Sequence, residues 1–325
     1  MTLKEVFQKN PNMKYIMFGG KGGLGKTTFS AATAFWLAKQ GKKVLVFSVD
    51  PQASLSDIFQ KDIFGKGAQE IIPGLFAQEI DADKRIHEYQ NEIRKKILDR
   101  YGFEQVPDEI ESYIAATSAE PAMEESAIFD AVVDIVNTTD FDYYIYDLVP
   151  LGHALYYLSM SSIYDEWINK ITSLREDMRK YEEVVAKMKS EEVQEEDEIL
   201  NELQYIRKRI NLASSVFTDK ARTGFLFVLT PEEMSIIDTE KAAVLFARYG
   251  VPITGFVTNR VIPQELEKQK IPQYLKNRIE SQRQPIIDIK QKFSDKVLGW
   301  VPELERDITG LAMIEKIAKI MYGND

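Results

Sequence analysis

At 325 residues with 44% hydrophobic content, the chain can bury one large α/β core, with or without a sizeable insertion. A formal charge of −10 works against generic attraction to nucleic acid or an anionic membrane, so a protein is the expected partner. With no cysteine and two histidines, His87 and His153, the sequence excludes disulfides and thiol-ligated zinc or arsenic, argues against a histidine metal centre, and leaves oxygen-held magnesium open.

The opening stretch MTLKEVFQKN carries charge where a signal peptide needs an apolar core, and no apolar run approaches roughly 18 residues. A cytoplasmic protein without direct membrane insertion is expected. In chain order, short apolar runs predict strands over Lys14–Phe18, Lys43–Val49, Leu75–Ile80, Phe141–Leu148, Phe225–Thr230, Ile253–Thr258 and Lys296–Val301. Helical stretches alternate with them, which is the pattern of a doubly wound, mostly parallel α/β sheet. Asp50, Asp147 and Asn259 fall at carboxyl ends of strands, where open α/β sheets bind ligands.

Two helical pieces, 83–137 and 161–217, interrupt the strand rhythm of the single domain 1–325 and together form a helical subdomain. The first carries the break Ser118–Pro121. In the second, Ile171, Leu174, Met178, Tyr181, Val185 and Met188 step by three and four, as do Ile199, Leu203, Ile206, Ile210, Ala213 and Phe217. That spacing predicts an antiparallel, coiled-coil-like hairpin with Met178 and Met188 in its core. Lys268–Lys292 is rich in basic residues but is expected to be broken at Pro272 and Pro285, and Leu311–Tyr322 has the period of a packing helix.

Between the first strand and the helix Phe29–Gln40 runs Gly20–Thr28, GKGGLGKTT, which fits GxxxxGK[ST] without mismatch. Gly20, Gly22, Gly23 and Gly25 let the backbone turn and present N–H groups to phosphate, with Lys21, Leu24 and Thr28 completing the cradle. Lys26 offers charge to the β and γ phosphates of ATP, and the Thr27 hydroxyl a ligand to Mg²⁺. Asp50 is placed to orient or activate the attacking water beside that metal, with capping of the next helix as its other reading. Asp147 follows an apolar run and suits holding Mg²⁺ through water. The Asn259 amide can bond an adenine edge or serve a turn.

The loop resembles the deviant Walker A loop of the arsenite-pump, tail-anchored-protein-targeting, partition and nitrogenase-iron-protein ATPases. That resemblance implies a homodimer in which Lys21 reaches across to the partner's nucleotide; a solvated loop lysine is the alternative. Asp50–Asp57 resembles the first switch of the family. Asp147–His153, DLVPLGH, resembles the second switch of the arsenite-pump and tail-anchored-targeting branch, with Leu148, Val149 and Leu151 where the family usually has hydroxyl side chains. Asn259 matches its adenine-reading Asn, and Pro302, in Val301–Glu303, its base-flanking segment. Phe76–Asp81 and Phe227–Glu232 extend the likeness over most of the chain outside the hairpin.

The implied activity is Mg²⁺-dependent ATP hydrolysis in a nucleotide-switched dimer that carries or targets a protein client, tail-anchored membrane proteins among the candidates, or docks on a membrane-associated receptor. An arsenite-pump subunit would have to work without cysteine metalloid sites, and the missing CxxC pair removes the zinc clasp of some family dimers. A partition or cell-division ATPase, to which Asp50-Pro51-Gln52 is equally similar, would need a basic surface or a membrane-seeking tail. A metabolic P-loop kinase would leave Lys21 unexplained.

Overall fold

Apolar runs too short for helices become strands buried on both faces. β1 (Tyr15–Gly19), β2 (Val44–Ser48) and β6 (Thr223–Leu229) are buried at every position, as strands covered by helices on both sides must be. The computed structural model describes residues 2–323 except 51–53, 103–104, 109, 113, 115–120, 149–165, 167, 182–197 and 252. β3 (Gln69–Ile72), β4 (Leu75–Glu79), β5 (Tyr143–Asp147), β7 (Ile253–Val261) and β8 (Val297–Pro302) complete a sheet ordered β3-β4-β2-β5-β1-β6-β7-β8. The pairings are parallel save that of β3 with β4. The fold is thus the expected doubly wound α/β sheet; the sequence reading lacked only the edge strand β3.

The helices are α1 (Leu3–Lys9), α2 (Lys26–Lys39), α3 (Ser54–Phe59), α4 (Ala82–Tyr101), α5 (Pro121–Thr138), α6 (Glu198–Thr218), α7 (Glu233–Arg248), α8 (Gln273–Phe293) and α9 (Leu311–Tyr322). A further helical stretch covers 168–181. One face of the sheet is covered by α1, α2, α3 and α9, the other by α5, α7 and α8 with the end of α6. On the first face Trp36 of α2 stacks on Tyr322 of α9 at 4.2 Å and 9°, and the hydroxyls of Thr33 and Tyr322 lie 2.7 Å apart. Burial of Ile314, Ile317, Ala318, Met321 and Tyr322 confirms α9 as a packing helix. Each buried Ile contributes about 1.5–3 kcal/mol, which fixes α2 and hence the loop that feeds it.

Pro285 does not break the chain as expected. Pro272 precedes α8 as its N-cap, whereas Pro285 lies inside it. The lost backbone donor is offset by a face packed through Ile279, Gln282, Ile289 and Phe293.

In the helical part, Arg209 of α6 reaches Asp134 at 2.9 Å and Asp130 at 3.3 Å on α5, and Arg85 of α4 bonds Asp134 from the other side. This clasp joins three helices. The predicted hairpin seam fares differently. Leu174, Met178 and Tyr181 are 65%, 56% and 75% exposed, so they face solvent rather than a hairpin core. Helical period identifies a common face but not what covers it. Val185 and Met188 lie outside the described residues.

Candidate functional site

The chain leaves β1 where the strand order reverses, with β5 and β2 to one side and β6, β7 and β8 to the other. Crevices outside the carboxyl ends of the strands at such a point receive ligands. The loop 20–25 stands there and turns into α2, whose N-cap, Gly25, has φ +97° and makes no side-chain cap bond. The leading N–H groups and the positive end of the helix dipole therefore face an anion site without a capping oxygen in the way. Glycine is required at two points. A Cβ on Gly20, at φ +144°, would lie 2.5 Å from the Val228 carbonyl, and one on Gly25 would lie 2.6 Å from Asn259 Nδ2.

Lys26 arches back over this loop, its Nζ donating to the Lys21 carbonyl at 3.3 Å. Burial lowers its pKa, while the charges of Asp147 and Asp50 pull it up again. Asp147, at the end of β5, is only 3% exposed. Burial raises its carboxyl to about 6, against hydrogen bonds to Thr27 and Ser30 and the charge of Lys26. Ser30 Oγ lies 3.0 Å from the Lys26 carbonyl and 3.3 Å from Asp147 Oδ1; its single proton serves one of them at a time. Hydroxyls beside a carboxylate form a hard oxygen set, which fits Mg²⁺ and no soft metal.

Asp50 is half-buried just past β2, its N–H donating to Ser48 Oγ at 3.1 Å. Both Lys26 and Asp147 feel its charge, so the three predicted groups converge. In the described part of α3, from Ser54, the N–H groups of Leu55 and Ser56 go to the buried Glu79 carboxylate at 2.6 and 3.2 Å.

Lys21 is paired within its own chain: its Nζ stands 3.1 Å from Asp238 Oδ2 on α7, with the side chains 55% and 31% exposed. Asn259 is buried beneath the loop, where its Nδ2 donates to the Leu24 carbonyl at 2.8 Å. Thr28 is buried in the first turn of α2. Pro302 ends β8 in register with Val261, on the same rim of the sheet as Asn259. Leu148 is buried, and Val149–His153 of the second switch-like segment lie outside the described residues.

Four residues at the site escaped the sequence reading: Ser30, Glu79, Asp238 and Arg260. Ser30 was within reach of it, since a residue four past Lys26 shares its helix face. The other three act across long sequence separations that no local motif records.

A sequence model of the anion-transporting ATPase family matches residues 13–323. A protein of Aquifex aeolicus (strain VF5), whose name describes an arsenical pump-driving ATPase, is 29% identical over 311 residues, covering 95% of this chain and 99% of its own. ATPase ASNA1 homolog 2 of Paramecium tetraurelia is 29% identical over 268 residues, covering 80% of this chain and 79% of its own. ATPase GET3C of Arabidopsis thaliana is 27% identical over 317 residues, covering 93% of this chain and 76% of its own.

Proposed function

The chain belongs to the anion-transporting ATPase family and is an ATP-hydrolysing enzyme, and from that premise we propose that it works as a Mg²⁺-dependent, nucleotide-switched homodimer that carries or targets a protein client. In this reading the N–H groups of Gly20 to Thr28 hold the phosphates and Lys26 swings from the Lys21 carbonyl to the β and γ oxygens. Thr27 directly, and Asp147 and Asp50 through water, would hold Mg²⁺, which neutralises phosphate charge when bound. Asp50 orients the attacking water and takes up its proton. Asn259, which keeps a second amide proton beyond the one given to Leu24, meets the adenine edge with Pro302 beside the base.

The observation that carries the switch reading is the placement of two lysines around one loop. Lys26 lies inside the cradle, and Lys21 stands half-exposed at the rim, where in this reading it would meet a second subunit's nucleotide. A carboxylate partner on α7 keeps its charge in place until then. ATP facing a partner subunit would draw the two subunits together, and hydrolysis would release them.

For the client, the supporting observation is the exposed row Leu174, Met178 and Tyr181, one face of a helix offered to solvent. Flexible methionine beside aliphatic and aromatic groups suits varied apolar segments, such as the membrane anchor of a tail-anchored protein. No helix among the described residues is long and apolar enough to cross a membrane; in this reading the protein acts in the cytoplasm and meets membranes through a receptor.

A second reading, a subunit that drives an arsenical pump, is favoured by the name of the Aquifex relative. Without cysteine it would need a metalloid-sensing chemistry other than thiolate ligation. The test of the dimeric switch is ATPase turnover per subunit against protein concentration. The expected rate rises with concentration and falls in Lys21→Ala; a rate independent of concentration and unchanged in that variant contradicts it.

A further inference from the structure

β7 does not stop at Asn259. The next residue, Arg260, sits at φ +55°, a left-handed conformation that costs energy for a side chain with a Cβ. Two bonds hold the kink open. Gln282 of α8, itself buried, donates Nε2 to the Arg260 carbonyl at 2.9 Å and accepts the Ile262 N–H at Oε1, also at 2.9 Å. The Arg260 N–H in turn donates to Asn259 Oδ1 at 2.8 Å.

The kink aims two consecutive side chains at the phosphate loop. Asn259 Nδ2 donates to the Leu24 carbonyl at 2.8 Å, and Arg260 Nη2 donates to the Gly23 carbonyl at 2.9 Å. In a trans peptide the N–H points opposite to the C=O. Pinning the carbonyls of Gly23 and Leu24 from this side therefore turns the N–H groups of Leu24 and Gly25 the other way. These are donors an anion in the cradle would use. Left alone, Gly23 at φ +75° and Gly25 at φ +97° sit among many accessible backbone conformations. Among the described residues Arg260 has no carboxylate partner, so its charge is directed at the loop.

We propose that Arg260 is a positioning residue for nucleotide binding: it clamps the Gly23 carbonyl so that the loop's amides face the phosphates before nucleotide arrives, and Gln282 holds the strained turn that makes the clamp possible. Arg260 need not touch the nucleotide. Its effect is preorganisation, which strengthens binding without changing the chemical step. The inference rests on reading 20–28 as the phosphate loop.

The test uses the full chain, a fluorescent ATP analogue for Kd, steady-state hydrolysis for kcat and KM, and melting without nucleotide. Arg260→Ala is expected to raise Kd and KM about tenfold, the low end for a charged donor lost to a carbonyl, with kcat within about twofold. Arg260→Lys, which can still donate to that carbonyl, recovers most of the affinity. Arg260→Gly relieves the backbone strain and melts no lower than wild type, yet binds as weakly as Arg260→Ala. Wild-type affinity in Arg260→Ala would overturn the proposal. So would a weakened affinity that tracks a lowered melting temperature across all three variants without rescue by lysine. Lys26→Ala is the control for the underlying site: if it binds nucleotide like wild type, the reading of the loop fails, and the inference with it.

Discussion

Lys21 Nζ and Asp238 Oδ2 stand 3.1 Å apart within one chain, a contact that joins the loop 20–25 to α7. If Lys21 serves a partner's nucleotide, this ion pair must open first. A half-exposed pair is worth roughly 0–1 kcal/mol. Asp238→Ala is therefore expected to leave folding unchanged and to raise turnover per subunit up to about fivefold at low protein concentration. The gain should vanish in the double variant with Lys21→Ala. A loss of turnover in Asp238→Ala alone would show that the carboxylate assists Lys21 rather than restraining it.

The glycines of the loop are unequal. A Cβ at Gly25 meets Asn259 Nδ2 at 2.6 Å with φ +97°, whereas one at Gly22 meets nothing within 4 Å. Gly25→Ala is expected to lower the stability of the nucleotide-free protein by about 1–3 kcal/mol through strain and the displaced amide. Gly22→Ala should leave it within about 0.5 kcal/mol. Urea unfolding of both variants checks this, and equal effects would mean the backbone at Gly25 is not held by Asn259.

Much of the fold was legible because its strands are short apolar runs buried on both faces, as in Val44–Ser48 and Thr223–Leu229. β3 escaped because it is an edge strand of mixed burial, Gln69–Ile72, with neither a continuous apolar run nor an alternating one. The loop, Asp50 and Asp147 were legible as strand ends. Asp238 and Arg260 were not, because their partners lie more than two hundred residues away and only the sheet order brings them together. The spacing of Leu174, Met178 and Tyr181 gave a face correctly, and its burial wrongly, since period says nothing about the neighbour.

Asp147 makes stability depend on pH. Its folded carboxyl is raised to about 6, so the folded state holds the proton more tightly than the unfolded chain does. The contribution is fully present below pH ~4 and lost as pH rises through the folded value, a change on the order of 3 kcal/mol. Without nucleotide or Mg²⁺, the stability of wild type relative to Asp147→Asn should thus fall between pH ~4 and ~7. Parallel curves for the two proteins would place the carboxyl in the ordinary range.

The exposed row on 168–181 gives a separate prediction. Replacing Leu174, Met178 and Tyr181 by serine removes no buried contact, so melting and ATPase rate should be unchanged. Recovery of a co-expressed tail-anchored protein should drop severalfold. Unchanged recovery would contradict the proposed role of this row in holding a client.

The division of labour between Lys26 and Asp50 is tested most directly by measuring ATP binding and hydrolysis side by side in Lys26→Ala and Asp50→Asn. Lys26→Ala should lose binding. Asp50→Asn should bind ATP like wild type and hydrolyse it roughly 10²-fold more slowly, as expected when a positioned base is removed. Wild-type turnover in Asp50→Asn would contradict the assignment.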